Sequence, residues 1–174
     1  MGYVDIAITR DMIDEAERLQ EVVRVHRTKA SPIDSLVGLL GEFIFAEWFL
    51  GDFRLHDAQS TKGKTDFFES SIEIKTSAFP FRDSLNLLVR EDYAAKRKPN
   101  FYVQVIIDMP MRSSRSIQEG YIGRISGWAS SSEVDNAPLK DFGSKSGGRG
   151  GYRCHYIPIK KLQSMSTFPG RKVQ

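Results

Sequence analysis

The chain has 174 residues, of which 40% are hydrophobic and 27% charged, a balance that suits one globular domain with a real core. No apolar run is long enough to span a bilayer, residues 1–10 hold no apolar signal core behind a basic start, and a single cysteine, Cys154, excludes an internal disulfide framework and a cysteine-built zinc cluster; a cytoplasmic protein with no membrane partner is expected. The formal charge of +3 is a weak pointer to a polyanionic partner.

Asp11 to Lys29 is polar with a partial apolar stripe through Met12, Ile13, Ala16, Leu19, Val22 and Val23, which predicts a helix broken at Ser31-Pro32. A second helix is predicted from about Ile33 to Leu50, stopped by Gly51. After a polar loop over Asp57 to Thr65 come two short β-type runs, Thr65 to Phe68 and Ser71 to Ser77, close enough to pair as a hairpin. Leu85 to Val89 reads as another strand, Glu91 to Lys98 as a short helix stopped by Pro99, and Phe101 to Asp108 as a central strand, nearly all apolar. Strands are expected at Glu119 to Ile125 and Tyr152 to Ile157. Between them a short helix is expected near Gly127 to Ser132, followed by the glycine-rich loop Gly143 to Gly151. The tail from Met165 onward is expected to fray. The order helix, strands, helix, strand gives an α/β (α+β) class with a mixed central sheet flanked by helices. One domain over 1–174 is expected, with its core at about 33–108 and a C-terminal extension over 109–174.

The second helix leaves hardly any polar face, so Glu42 in its middle is a carboxylate among apolar neighbours. An isolated charge there costs several kcal/mol or takes up a proton; a nearby cation removes the problem. Glu47, five residues on, faces elsewhere and is expected to reach solvent. In the run Ile72-Glu73-Ile74-Lys75-Thr76-Ser77 side chains alternate. Ile72, Ile74 and Thr76 share one face; Glu73, Lys75 and Ser77 share the other. Asp66, on the preceding run, is near enough across a tight turn to reach the same place. Hard oxygen ligands such as Asp66 and Glu73 favour Mg²⁺ or Mn²⁺. Such an ion polarises a phosphoryl oxygen and activates water, while Lys75 positions the water and steadies developing negative charge. The competing reading makes Glu73 and Lys75 an ordinary salt-bridged pair on a solvated sheet face.

Thr65-Asp66, a six-residue gap and Glu73-Ile74-Lys75 together resemble the motif of the PD-(D/E)xK nuclease superfamily. Gly38-Leu39-Leu40-Gly41-Glu42 resembles the glutamate-bearing first helix of that restriction-endonuclease-like fold. The resemblance implies a core of helix, three strands, helix and strand, matched here from Ile33 to Asp108, under half the chain. It implies Asp66 and Glu73 as metal ligands, Lys75 as the catalytic lysine, and Glu42 as an auxiliary acidic residue or a ligand of a second metal. Thr65 stands where the motif has proline. The implied function is Mg²⁺- or Mn²⁺-dependent endonucleolytic hydrolysis of DNA, of a restriction, phage, mobile-element or junction-resolving kind. A homodimer would put two active sites on two strands.

Further candidates for substrate contact are Ser77, Gln104, Lys96, Lys98, Lys145 and Arg149. Gln104 interrupts an apolar strand, and a buried amide needs partners. Lys145 and Arg149 sit in the glycine-rich loop, where backbone can approach a phosphate chain; Lys96 and Lys98 end the predicted short helix. Thr61-Lys62-Gly63-Lys64-Thr65 only ends like a phosphate-binding loop, since Ala58 stands at its first glycine, so no nucleotide cofactor is expected. His26, His56 and His155 are scattered, without the spacing of a helical zinc site. The alternatives to an enzyme are a nucleic-acid binding module of the same fold that does not cut, and a structural or partner-binding protein whose acidic cluster is an ion-pair network.

Overall fold

The computed structural model describes residues 2–24, 31–59, 65–67, 70–92, 98–111, 116–143 and 151–170. The first strand, β1 (Val4–Ala7), leads into helix α1 (Arg10–Arg24), whose Met12, Ile13, Ala16 and Leu19 are buried along one stripe against helix α2 (Pro32–Leu50). The ends of α2 follow from four residues. Ser31 Oγ accepts from the Asp34 N–H at 3.2 Å, and Pro32 occupies the first turn, where its missing N–H costs nothing. Asp34 faces the positive end of the helix dipole, and Gly51, at φ +85°, turns the chain out in a left-handed conformation.

Strands β2 (Ile72–Ala78), β4 (Phe101–Ile107), β5 (Ile122–Ser130) and β1 form a sheet in the order β1-β5-β4-β2. β2 runs parallel to β4, and the other two pairings are antiparallel. β4 is interior, as its apolar composition requires: Tyr102, Val103, Val105, Ile106 and Ile107 are all buried. A second, antiparallel sheet joins β3 (Asn86–Arg90), β7 (Arg153–Pro158) and β6 (Leu139–Asp141) in the order β3-β7-β6. The alternation of side chains splits the core in two. Ile72, Ile74, Val103, Val105 and Ile125 meet Leu40, Phe43, Ile44 and Phe45 of α2. On the opposite face Tyr102 and Ala129 meet Leu87 and Val89 of β3 and Val134 of the short helix α3 (Ser131–Asp135). The result is three layers: helices, mixed sheet, small sheet. α2 lies so close to β2 that a methyl group on Gly41 would fall 1.8 Å from Thr76 Oγ1.

The class, a mixed α/β chain with a four-stranded mixed sheet, agrees with the sequence reading. Several elements differ. The helix expected near Gly127 to Ser132 is instead the second half of β5, which follows β4 to Ser130. The ladder shifts between Gln104 and Val105, and Gly127, at φ +156°, takes up the irregularity. Helix α3 begins only at Ser131, where Ser130 and Glu133 form a reciprocal capping box. Through residue 170 the tail is packed rather than frayed: Met165 and Phe168 are buried, the Trp128 indole N–H donates to Ser164 O at 3.0 Å, and Phe168 stacks edge-on against Phe45. β1 and β6 were not foreseen. β5, from the segment after residue 108, is an interior strand of the main sheet. The expected first hairpin strand over Thr65 to Phe68 is one bridge, Phe67 to Ile72. Of the short helix expected over Glu91 to Lys98, only 91–92 are helical among the described residues. Among the described residues no helix is long and apolar enough to cross a membrane.

Candidate active site

β2 is the edge strand of the main sheet, and its outer side is finished by the segment 65–67. Phe67 N–H donates to Ile72 O at 3.0 Å and Ile72 N–H to Phe67 O at 3.2 Å. The next outward N–H, that of Ile74, donates to Asp66 Oδ2 at 2.8 Å. A side-chain carboxylate thus replaces the backbone carbonyl of a further rung. This bond fixes Asp66 beside β2, next to the residues at 73 and 75.

Burial and charge act on Asp66 together. Loss of water pushes its carboxyl well above the ordinary range, and the neighbouring carboxylates of Glu42 and Glu73 push it further; the Ile74 N–H and the Lys75 ammonium pull the other way. Asp66 thus stands within electrostatic reach of one carboxylate on α2 and one on β2. Lys75 Nζ lies 3.3 Å from Glu73 Oε1, and the two side chains are 26% and 13% exposed. This is a half-buried pair, not the solvated one the competing reading requires. Glu73 Oε2 is buried with no hydrogen-bond partner among the described residues, and so is Thr65 Oγ1. A carboxylate oxygen in that condition is costly unless something positive meets it.

The third acid, Glu42, is held from an unforeseen direction. His56 Nε2 lies 2.9 Å from Glu42 Oε1, and its ring stacks on Phe67 with centroids 4.2 Å apart and planes 15° from parallel. Burial lowers the affinity of His56 for a second proton, against the pull of Asp66 and Asp57. The spacing of the histidines gave no sign of this. The chain geometry does carry a signal: Glu42 is nine residues before Gly51, about 13 Å along a helix. The five residues from Gly51 to His56, at about 3.3 Å each, can return that distance. Glu47 differs from expectation too, since its Oε2 accepts from the Phe53 N–H at 2.8 Å. It ties the 3₁₀ turn Phe53–Leu55 back onto α2 and so helps deliver His56.

On the inner face, the parallel register sets Glu73 beside Tyr102 and Lys75 beside Gln104. Burial and the charges of Glu73 and Asp135 push the Tyr102 hydroxyl up to about 12. Gln104 is 1% exposed and donates through Nε2 to Val105 O at 3.0 Å and to Ser77 Oγ at 3.4 Å. Gln104 therefore braces the strand pair that carries Lys75. Cys154 of β7 is buried, which raises its thiol, while Tyr152, Arg90 and Lys75 lower it; the small sheet thus covers the Lys75 side. Lys98 Nζ pairs with Asp135 Oδ2 at 3.0 Å, linking α3 to the approach to β4. Lys96, Lys145 and Arg149 lie outside the described residues. An open groove of about 580 Å³, lined by Asp11, Glu15, Arg18, Phe53 and Arg54, borders this cluster at His56.

The donor set fits a hard divalent cation: carboxylate oxygens, one of them buried and without a partner, and a charge balance that a cation would relieve. Asp66, Glu73 and Glu42 are the residues that would hold it. Among the described residues no three or more His, Cys, Asp or Glu side chains are placed so that they could hold a metal ion together as they stand. No family model, curated protein or solved structure matches this chain.

Proposed function

We propose that this chain is a metal-dependent nuclease of the PD-(D/E)xK type that hydrolyses phosphodiester bonds in DNA. The observation that supports it most is Asp66 anchored beside β2 by the Ile74 N–H at 2.8 Å, where burial and the carboxylates of Glu42 and Glu73 raise its affinity for a proton, with Lys75 at 3.3 Å from Glu73. Buried carboxylates that raise one another's proton affinity recur at catalytic and ligand-binding sites. Mg²⁺ or Mn²⁺ would be held by Asp66 and Glu73, with Glu42 assisting, and would polarise a phosphoryl oxygen and lower the pKa of water. The chain's own groups do the rest. Lys75 Nζ donates to the water or to a non-bridging phosphate oxygen and steadies charge as the phosphorus becomes five-coordinate. Glu73, 3.3 Å from Lys75 Nζ, aims the ammonium. Burial of the cluster strengthens each of these interactions over its value in water.

The test is incubation of the purified protein with supercoiled, linear, branched and single-stranded DNA and with RNA, in Mg²⁺, Mn²⁺ or EDTA. Glu73→Ala and Lys75→Ala run alongside, after circular dichroism shows both folded. Metal-dependent cutting, reduced about 100-fold or more in each variant, is the expected result. Salt-sensitive binding with no cutting by the wild type would favour a non-cutting module of the same fold.

A further inference from the structure

We propose that His56 is the positioning residue of this centre: it holds the Glu42 carboxylate at a set place relative to Asp66 and so raises the affinity of the cluster for a divalent cation. The inference rests on the metal-dependent reading above and adds a residue to it.

An ionised carboxylate only accepts hydrogen bonds, so the 2.9 Å contact between His56 Nε2 and Glu42 Oε1 is donated by the imidazole. That bond fixes one oxygen of Glu42 and with it the plane of the carboxylate. The imidazole is in turn immobilised. Its side chain is 5% exposed, and its ring lies flat on Phe67. Phe67 is the residue after Asp66 and is bonded through both its N–H and its carbonyl to Ile72 of β2. One side chain therefore touches both the helix acid and the platform of the loop acid. It thereby ties Glu42, on α2, to the segment that carries Asp66 beside β2, across two layers of the fold. Groups that orient metal-binding carboxylates contribute about 10- to 100-fold to metal affinity.

The measurement is Mn²⁺ binding to the whole chain by isothermal titration calorimetry, with folding checked by circular dichroism. His56→Phe keeps a ring to stack on Phe67 and removes the donor. His56→Gln places an amide N–H near the position of Nε2. The expected result is Mn²⁺ affinity about 10- to 100-fold weaker in His56→Phe, largely recovered in His56→Gln. In a Glu42→Gln background, His56→Phe should change affinity by less than about threefold, because the group it positions is gone. Should His56→Phe fail to fold, His56→Asn, whose amide is one carbon short of Glu42, stands in for it. Wild-type Mn²⁺ affinity in a folded His56→Phe or His56→Asn variant would overturn the assignment alone. So would an equal loss with and without Glu42. Failure of the wild type itself to bind Mn²⁺ would overturn it together with the metal-dependent reading.

Discussion

Asp66 is where structure and chemistry pull against each other. Its carboxylate is needed as a backbone substitute, accepting from the Ile74 N–H, yet it is buried against Glu42 and Glu73. Its folded-state affinity for a proton is above that of the unfolded chain. The folded state therefore binds more protons, and the contribution of this group to stability falls as pH rises from the ordinary aspartate range through the raised folded value. Asp66→Asn keeps an acceptor for Ile74 and removes the charge. In EDTA it should melt higher than the wild type, by about 2–4 °C for each kcal/mol of relieved repulsion. The difference should widen from about pH 4 toward neutrality, as thermal denaturation across that range would record. Saturating Mn²⁺ should reverse the order, adding about 2.7 kcal/mol to the wild type at a hundred times the dissociation constant and little to the variant. A melting temperature for Asp66→Asn below the wild type at neutral pH in EDTA would mean that the carboxylate is a structural asset and the cluster is not strained.

At the scale of elements, the site depends on how closely α2 can lie on β2. Gly41 precedes Glu42, and its missing side chain is what lets the helix rest on Thr76. A methyl group placed 1.8 Å from Thr76 Oγ1 and 2.7 Å from Thr76 Cβ has to push the helix out. Gly41→Ala should cost about 1–3 kcal/mol by overpacking, in urea unfolding followed by circular dichroism. Because Glu42 moves with the helix, Mn²⁺ affinity should fall as well. Gly41→Ala with Thr76→Ala should regain part of both. The sequence carried half of this. The glycine stood out beside the glutamate, and alternation along 72–77 put Thr76 on the face opposite Glu73, but no periodicity says which strand a helix will press upon. The main α/β elements were legible for the same local reasons: a stripe at helical spacing in α1, an apolar helix after the Ser31-Pro32 break with a glycine stop in α2, and an apolar strand in β4. What escaped was set by distant partners. β1 exists because Val4 to Ala7 pair with Ile122 to Ile125. The end of β5 is strand because Val103 and Tyr102 offer it a ladder. His56 joins the site because a turn after Gly51 folds it back on α2. The proximity of Asp66, Glu73 and Lys75 was legible because alternation and a short connection keep these three close along the chain.

Across the whole molecule the charge is nearly balanced, at +3, while the cluster of Glu42, Asp66 and Glu73 is locally negative. A DNA backbone approaching that cluster meets phosphate–carboxylate repulsion. Such a contact costs on the order of 1 kcal/mol where water screens it and several times that where it does not, and 1.4 kcal/mol is about tenfold in affinity. If the scissile phosphate sits at the cluster, removing a carboxylate charge should therefore tighten binding in the absence of metal even as it abolishes cutting. In EDTA, Glu73→Gln should bind a short DNA duplex about tenfold more tightly than the wild type by fluorescence anisotropy. Mn²⁺ should raise the wild-type affinity and leave that of Glu73→Gln less changed. The dependence of log K on log salt should stay linear for both, with a slope of about −0.9 for each phosphate neutralised. The slopes should be nearly equal, because the substitution leaves every surface cation unchanged. Opposite behaviour, with Glu73→Gln binding DNA no better than wild type at any salt concentration, would place the phosphate chain away from these carboxylates. The cluster would then be an ion-pair network that happens to sit at the edge of β2.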